Sequence, residues 1–77
     1  MANFVVGLSF FDTELKLIKI EEESEYEAIK KAMVLNCEEK YRESEIEWQK
    51  SENYPKDKES LISYLYESDI LINIIEI

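Results

Sequence analysis

Two pairs of carboxylates two residues apart, Glu21/Glu23 and Glu45/Glu47, and one thiol, Cys37, are the groups in this sequence best suited to chemistry. Paired acids can move protons, and a thiolate is a nucleophile. Each lacks what such chemistry normally requires. The chain has no histidine, so the common general base and the commonest metal ligand are missing. A single cysteine excludes an intramolecular disulfide and a cysteine-based zinc site. Cys37 sits in an apolar stripe, where a buried, inert thiol is expected. The one glycine, Gly7, lies inside an apolar strand pattern, which excludes glycine-rich phosphate loops and the standard calcium-binding EF-hand loop. Carboxylates at this density usually form a solvated face, and 77 residues leave little room for a pocket. The expectation is therefore a non-enzymatic protein with no catalytic residue, cofactor or metal.

The acids then read as surface. Net charge is −9, from 18 acidic against 9 basic residues. Such a surface repels nucleic acid and anionic membranes, so a macromolecular partner is expected to be a protein with a basic face. The glutamates fall in two clusters. The first is Glu21, Glu22, Glu23, Glu25 and Glu27, and the second is Glu38, Glu39, Glu43, Glu45 and Glu47. If the two ends of one helix carry them, their carboxylates lie along a rim and could imitate successive phosphates. The candidate partner-binding residues are thus Glu21, Glu22, Glu23, Glu25, Glu38, Glu39, Glu43, Glu45 and Glu47. Tyr54 joins them, because tyrosine is a frequent interface anchor. Trp48 is expected in the core, and at least one of Tyr64 and Tyr66 at the surface, because residues two apart on a helix do not share a face.

The elements that must position these residues form a small α+β domain over residues 1–77, in the order ββα-x-αβ, with the helices on one face of the sheet. Residues 3–11 alternate as a central strand, apolar on both faces. Asp12-Thr13 is a turn and Leu15 to Glu22 the second arm of a hairpin. There Leu15 and Leu17 share one parity, Ile18 and Ile20 the other. Either a bulge brings all four to one face, or both faces are partly covered. Ser24 with Glu27 is a capping box opening a helix. Its apolar stripe is Ile29, Met33, Cys37 and Tyr41, with Glu27 and Lys31 as an i, i+4 pair. Residues 42–56 are ambiguous: Ser44 to Trp48 alternates like a strand, yet Ser44 with Glu47 is again a capping box. A short or irregular segment that inserts Ile46 and Trp48 into the core is expected. Asn53-Tyr54-Pro55 is a break. A helix from Asp57 to about Glu67 follows, burying Leu61, Ile62 and Leu65. The β-branched run Ile70–Ile77 is expected in the sheet interior beside the first strand.

Two functions fit. One is a small acidic binding protein, an inhibitor of the kind encoded by phages and mobile elements. It would mimic nucleic acid on the basic surface of a nucleic-acid-processing protein; that likeness is of composition only. The other is an assembly module, a homodimer or larger, associating through a strand edge or an apolar helix face, with the charge serving solubility. With one unpaired cysteine, no export signal and no apolar run long enough to span a bilayer, a cytoplasmic protein is expected.

Overall fold

The alternating residues of the first strand decide the layout. In the computed structural model, which describes residues 1–10 and 15–77, β1 (Ala2–Phe10) is the middle strand of a three-stranded antiparallel sheet. β2 (Lys16–Glu22) and β3 (Ile70–Glu76) flank it. Between them in sequence come α1 (Glu25–Asn36), α2 (Glu39–Gln49) and α3 (Lys58–Glu67). This is a small α+β domain with the expected order of elements. The proposed turn at Asp12-Thr13, and Phe11 before it, lie outside the described residues.

Register places Phe4, Val6 and Leu8 against Ile20, Ile18 and Lys16 on one side, and against Glu76, Ile74 and Ile72 on the other. That face carries the helices. Its strand residues join Ala28, Ile29, Ala32 and Met33 of α1 and Leu61 and Leu65 of α3 in one buried cluster. The β1–β2 pairing runs unbroken from Ala2↔Glu22 to Leu8↔Lys16, so no bulge forms. Ile18 and Ile20 face the helices, while Leu17 faces the other way, beside Gly7. β3 does lie next to β1 but at the edge, not in the interior. Among the described strands β1 alone is paired on both sides, to β2 and to β3.

The helices begin as their caps dictate. Ser24 Oγ accepts from the Glu27 N–H at 3.2 Å, and an Asp57 carboxylate oxygen accepts from the Ser60 N–H at 2.8 Å. These bonds satisfy backbone donors that a first turn leaves orphaned. The apolar stripe was read too far, however. α1 stops at Asn36, and Cys37 turns extended (ψ 145°) with its N–H on Val34 O. Arg42 reaches back to donate to Val34 O and Cys37 O, each at 3.2 Å. A cation at a helix C-terminus is favoured by the dipole and by the free carbonyls there. Tyr41, predicted on the buried stripe, is therefore exposed on the next helix. Cys37 is only half-buried. Glu27 pairs with Lys30 at 3.7 Å rather than with Lys31, which reaches Glu22.

Residues 39–49 are helical, correcting the irregular segment expected there. α2 buries none of its residues and packs on α1, away from the sheet. Gln49 donates to Lys30 O at 2.9 Å, so polar tethers at both ends hold it. Ile46 is exposed, and Trp48 packs against the edge of the core. α3 ends in a turn through Asp69, whose φ of 64° lies in the left-handed region that aspartate tolerates better than most residues.

Candidate functional site

The two acid clusters lie beside opposite ends of α1, which at 12 residues is roughly 18 Å long. The first is interleaved with lysine. Glu22 lies 3.9 Å from Lys31, and Glu25 is hydrogen-bonded to Lys58 at 3.1 Å. Glu21 lies opposite Asn3 at the end of β2, and Glu23 is exposed in the turn before Ser24. Here the surface is of mixed sign. The second cluster is more uniform. Glu39, Glu43 and Glu47 stand at i, i+4, i+8 along the exposed side of α2, with Glu38 at its cap position. Its cations are Lys40, 3.7 Å from Glu38, and Lys50, 4.0 Å from Glu47, in exposed pairs that contribute little. Arg42 is committed to the α1 carbonyls.

Glu45 differs from its neighbours. It is half-buried and accepts from Gln49 Nε2 at 2.8 Å. Burial raises its carboxyl above the usual carboxylate range, and the Gln49 bond opposes that only in part. It lines a cavity of about 100 Å³ where the three helices meet, together with Met33, Trp48, Tyr54, Tyr64, Leu65, Ser68 and Ile70. Trp48 is edge-on to Tyr54, with centroids 5.5 Å apart at 75°, and tilted against Tyr64 at 5.9 Å and 46°.

Tyr54, expected at the surface, is 3% exposed and belongs to the core. The Asn53-Tyr54-Pro55 break folds inward because Tyr26 Oη donates to Pro55 O at 2.6 Å and holds it against α1. The hydroxyl of Tyr54 is buried without a hydrogen-bond partner. Burial first, and the neighbouring Glu45 carboxylate second, push its ionisation well above the ordinary tyrosine range. The thiol of Cys37 is also raised, by burial and then by Glu45, against the opposing pull of Arg42. It stays protonated and is a poor nucleophile.

The Glu45–Trp48–Gln49 grouping went unseen in the sequence because residues 42–56 were not read as helix. Spacing of i, i+3 and i+4 was the signal that puts all three on one side.

The opposite face of the sheet forms a second surface. Leu17, Leu71 and Ile75 share it with Asn3, Val5, Gly7, Ser9 and Asn73. Leu17 is 68% and Ile75 65% exposed, and Leu71 is more than half exposed. Leu15 also reaches Gly7, and Ile77 continues β3 by donating to Asn3 O. Lys19 and Glu21 are the charged side chains of this face among the described residues.

Among the described residues, no group of three or more His, Cys, Asp or Glu is placed to hold a metal ion, and no helix is long and apolar enough to cross a membrane. No protein-family model, no curated protein and no solved structure matches this chain, so its surfaces are read from their own chemistry.

Proposed function

We propose that this protein is a non-enzymatic assembly module whose open sheet face packs on the same face of a second copy. The observation that carries this is the bare apolar side of the sheet, formed by Leu15, Leu17, Leu71, Ile75 and Ile77 around Val5 and Gly7. These side chains expose on the order of 500 Å², the size of the largest apolar patch on a typical monomer. A standard interface takes roughly 800 Å² from each partner. The face thus suits a weak dimer whose population depends on concentration. Charge favours a copy as the occupant. Among the described residues the face carries one Lys19 and one Glu21, which offset each other in a chain of net charge −9. Packing face to face leaves the acidic helices on the two outer sides, where they repel least. The surface is a sheet face, where the sequence suggested a strand edge or a helix face.

Sedimentation equilibrium from micromolar to millimolar concentration tests the proposal. The wild type dimerises across that range, while Leu17→Glu and Ile75→Lys remain folded monomers. A wild type that stays monomeric at the highest concentration overturns it.

A second reading rests on α2. Its exposed Glu39–Glu43–Glu47 row, on a helix that buries nothing, supports an inhibitor that imitates nucleic acid on a basic protein surface. Charge reversal at Glu22 and Glu43 abolishes salt-sensitive capture of a basic nucleic-acid-binding protein under this reading. If both substitutions leave capture intact, it fails.

A further inference from the structure

We propose that the cavity between α1, α2 and α3 is a binding site for an alkylammonium head group. This stands apart from the assembly reading, because the cavity lies in the helical layer and the open face lies across the sheet.

Three features define the ligand. First, the walls are aromatic. Trp48, Tyr54 and Tyr64 all line the cavity and meet edge-on or tilted, with neither ring pair stacked flat. Ring faces attract cations, and cages of tryptophan and tyrosine are a known means of holding quaternary ammonium groups. Second, the cavity contains an acid without a cation. Glu45 forms no ion pair among the described residues, and Gln49 is its hydrogen-bonding partner. A half-buried carboxylate is costly unless paired, which favours a positive ligand. Third, the buried Tyr54 hydroxyl has no partner among the described residues, and Tyr54 lines the same space.

Size and donor set narrow the class further. The volume of about 100 Å³ corresponds to roughly three water-sized groups, enough for an ammonium with one or two methyl groups, so a trimethylated head group must extend toward the open rim. An anion would meet Glu45. A neutral apolar group would leave the Glu45 charge without a counter-ion and the Tyr54 hydroxyl without a partner. Calcium needs roughly six to eight oxygen ligands, far more than these side chains offer. An alkylammonium meets every feature: its charge faces Glu45, its methyl groups lie on the rings, and any remaining N–H can reach the Tyr54 oxygen. Tyr64 and Ser68 are exposed at the rim and give access. The head group belongs either to a small free amine or to a lysine side chain of a partner protein.

Trp48 is the only tryptophan, so its fluorescence reports on the cavity directly. The probes are choline, its uncharged carbon isostere, and peptides carrying lysine or trimethyl-lysine, titrated at constant ionic strength. The expected result is a saturable change with choline or with a lysine peptide, at least about tenfold tighter than with the isostere. Glu45→Gln and Tyr64→Ala, checked for folding by circular dichroism, each weaken cation binding about tenfold or more. Glu45→Gln leaves the isostere's weak response unchanged. Tighter binding of a peptide than of choline assigns the site to a partner's lysine, and the reverse assigns it to a small amine. The proposal is overturned if no probe gives a saturable change, if the isostere matches the cations, or if folded Glu45→Gln binds like the wild type.

Discussion

Both faces of the sheet carry large aliphatic side chains, and these meet different fates. On one, Phe4, Val6, Leu8 and Ile20 lie beneath α1 and α3 and are almost fully buried. On the other, Leu17, Leu71 and Ile75 stand in the open across Gly7 and Asn73. The open face is the more polar, with Asn3, Ser9, Lys19, Glu21 and Asn73 among its residues, yet its large aliphatic side chains have no cover. Three short helices suffice for only one face, and α2 covers none of the sheet, because its own surface is polar and it lies on α1. Two faces with large aliphatic side chains and one layer of helices leave a surface over. That surplus, rather than any shape of pocket, makes the assembly reading the stronger one.

A matched pair of truncations measures the contrast most directly. Leu8 and Leu17 occupy neighbouring strands on opposite faces. Leu8→Ala should cost about 2–5 kcal/mol, since it opens a cavity in a packed core. A chain of this length has only roughly 4–12 kcal/mol of stability in all, so the loss is severe. Leu17→Ala should cost within about 0.5 kcal/mol in the monomer, as surface changes do. Urea denaturation at low concentration reads both. Comparable losses from the two would mean that the open face is packed by something the isolated fold does not show.

Association turns the contrast around. Ile74 and Ile75 are adjacent on β3, with Ile74 toward the helices and Ile75 away from them. Ile74→Thr should destabilise the monomer by about 1–3 kcal/mol, as expected of a polar group placed against a core. Ile75→Thr should spare the monomer and weaken the dimer. Equilibrium sedimentation alongside thermal melts separates the two effects. A dimer unaffected by Ile75→Thr would move the interface off this face.

How much of this was legible in the sequence follows from where periodicity speaks. β1, the Ser24 cap, the start of α3 near Asp57 and its buried Leu61 and Leu65 agree with the sequence because alternation and capping are local signals. The end of α1 does not, because Arg42 fixes it from eight residues beyond Val34. Residue type alone marks Tyr54 as an interface anchor; the Tyr26 bond to Pro55 that draws it inward is long-range. α2 was missed because a helix without an apolar stripe has no period to find. Its acids were seen, but Glu45 could not be told from Glu43 or Glu47 until the helix set which side each occupies.

Gly7 gives a finer test of the open face. A Cβ there would meet Leu17 Cδ2 at 3.3 Å and Leu15 Cδ1 at 3.5 Å, both free ends of exposed side chains. These can yield, and replacing glycine inside a strand recovers roughly 0.5–1 kcal/mol of chain entropy. Gly7→Ala should therefore stabilise the monomer slightly. In a face-to-face dimer the leucines have less freedom to move, so the same variant should associate less well. Stabilisation together with tighter association would argue against close packing over Gly7.

The smallest effect lies on the helical side, at Glu45. Its folded pKa is raised by burial, so the folded state holds the proton more tightly than the unfolded chain does. That contribution is fully present below the unfolded value near pH 4.5 and is lost as pH rises through the higher folded value. At neutral pH the ionised carboxylate works against the free fold. Glu45→Gln should raise the melting temperature slightly at pH 7 and give no gain at pH 3, while Gln49 can still donate to the new side chain. Choline at saturating concentration should reverse the order at pH 7, stabilising the wild type more than the variant. A charge that costs stability in the empty cavity and supplies it when a cation is bound has a ligand-dependent role that packing alone does not explain. If Glu45→Gln lowers the melting temperature at pH 7 with no ligand present, the carboxylate is a structural member of the helix junction, and the aromatic cavity has no unpaired charge to offer.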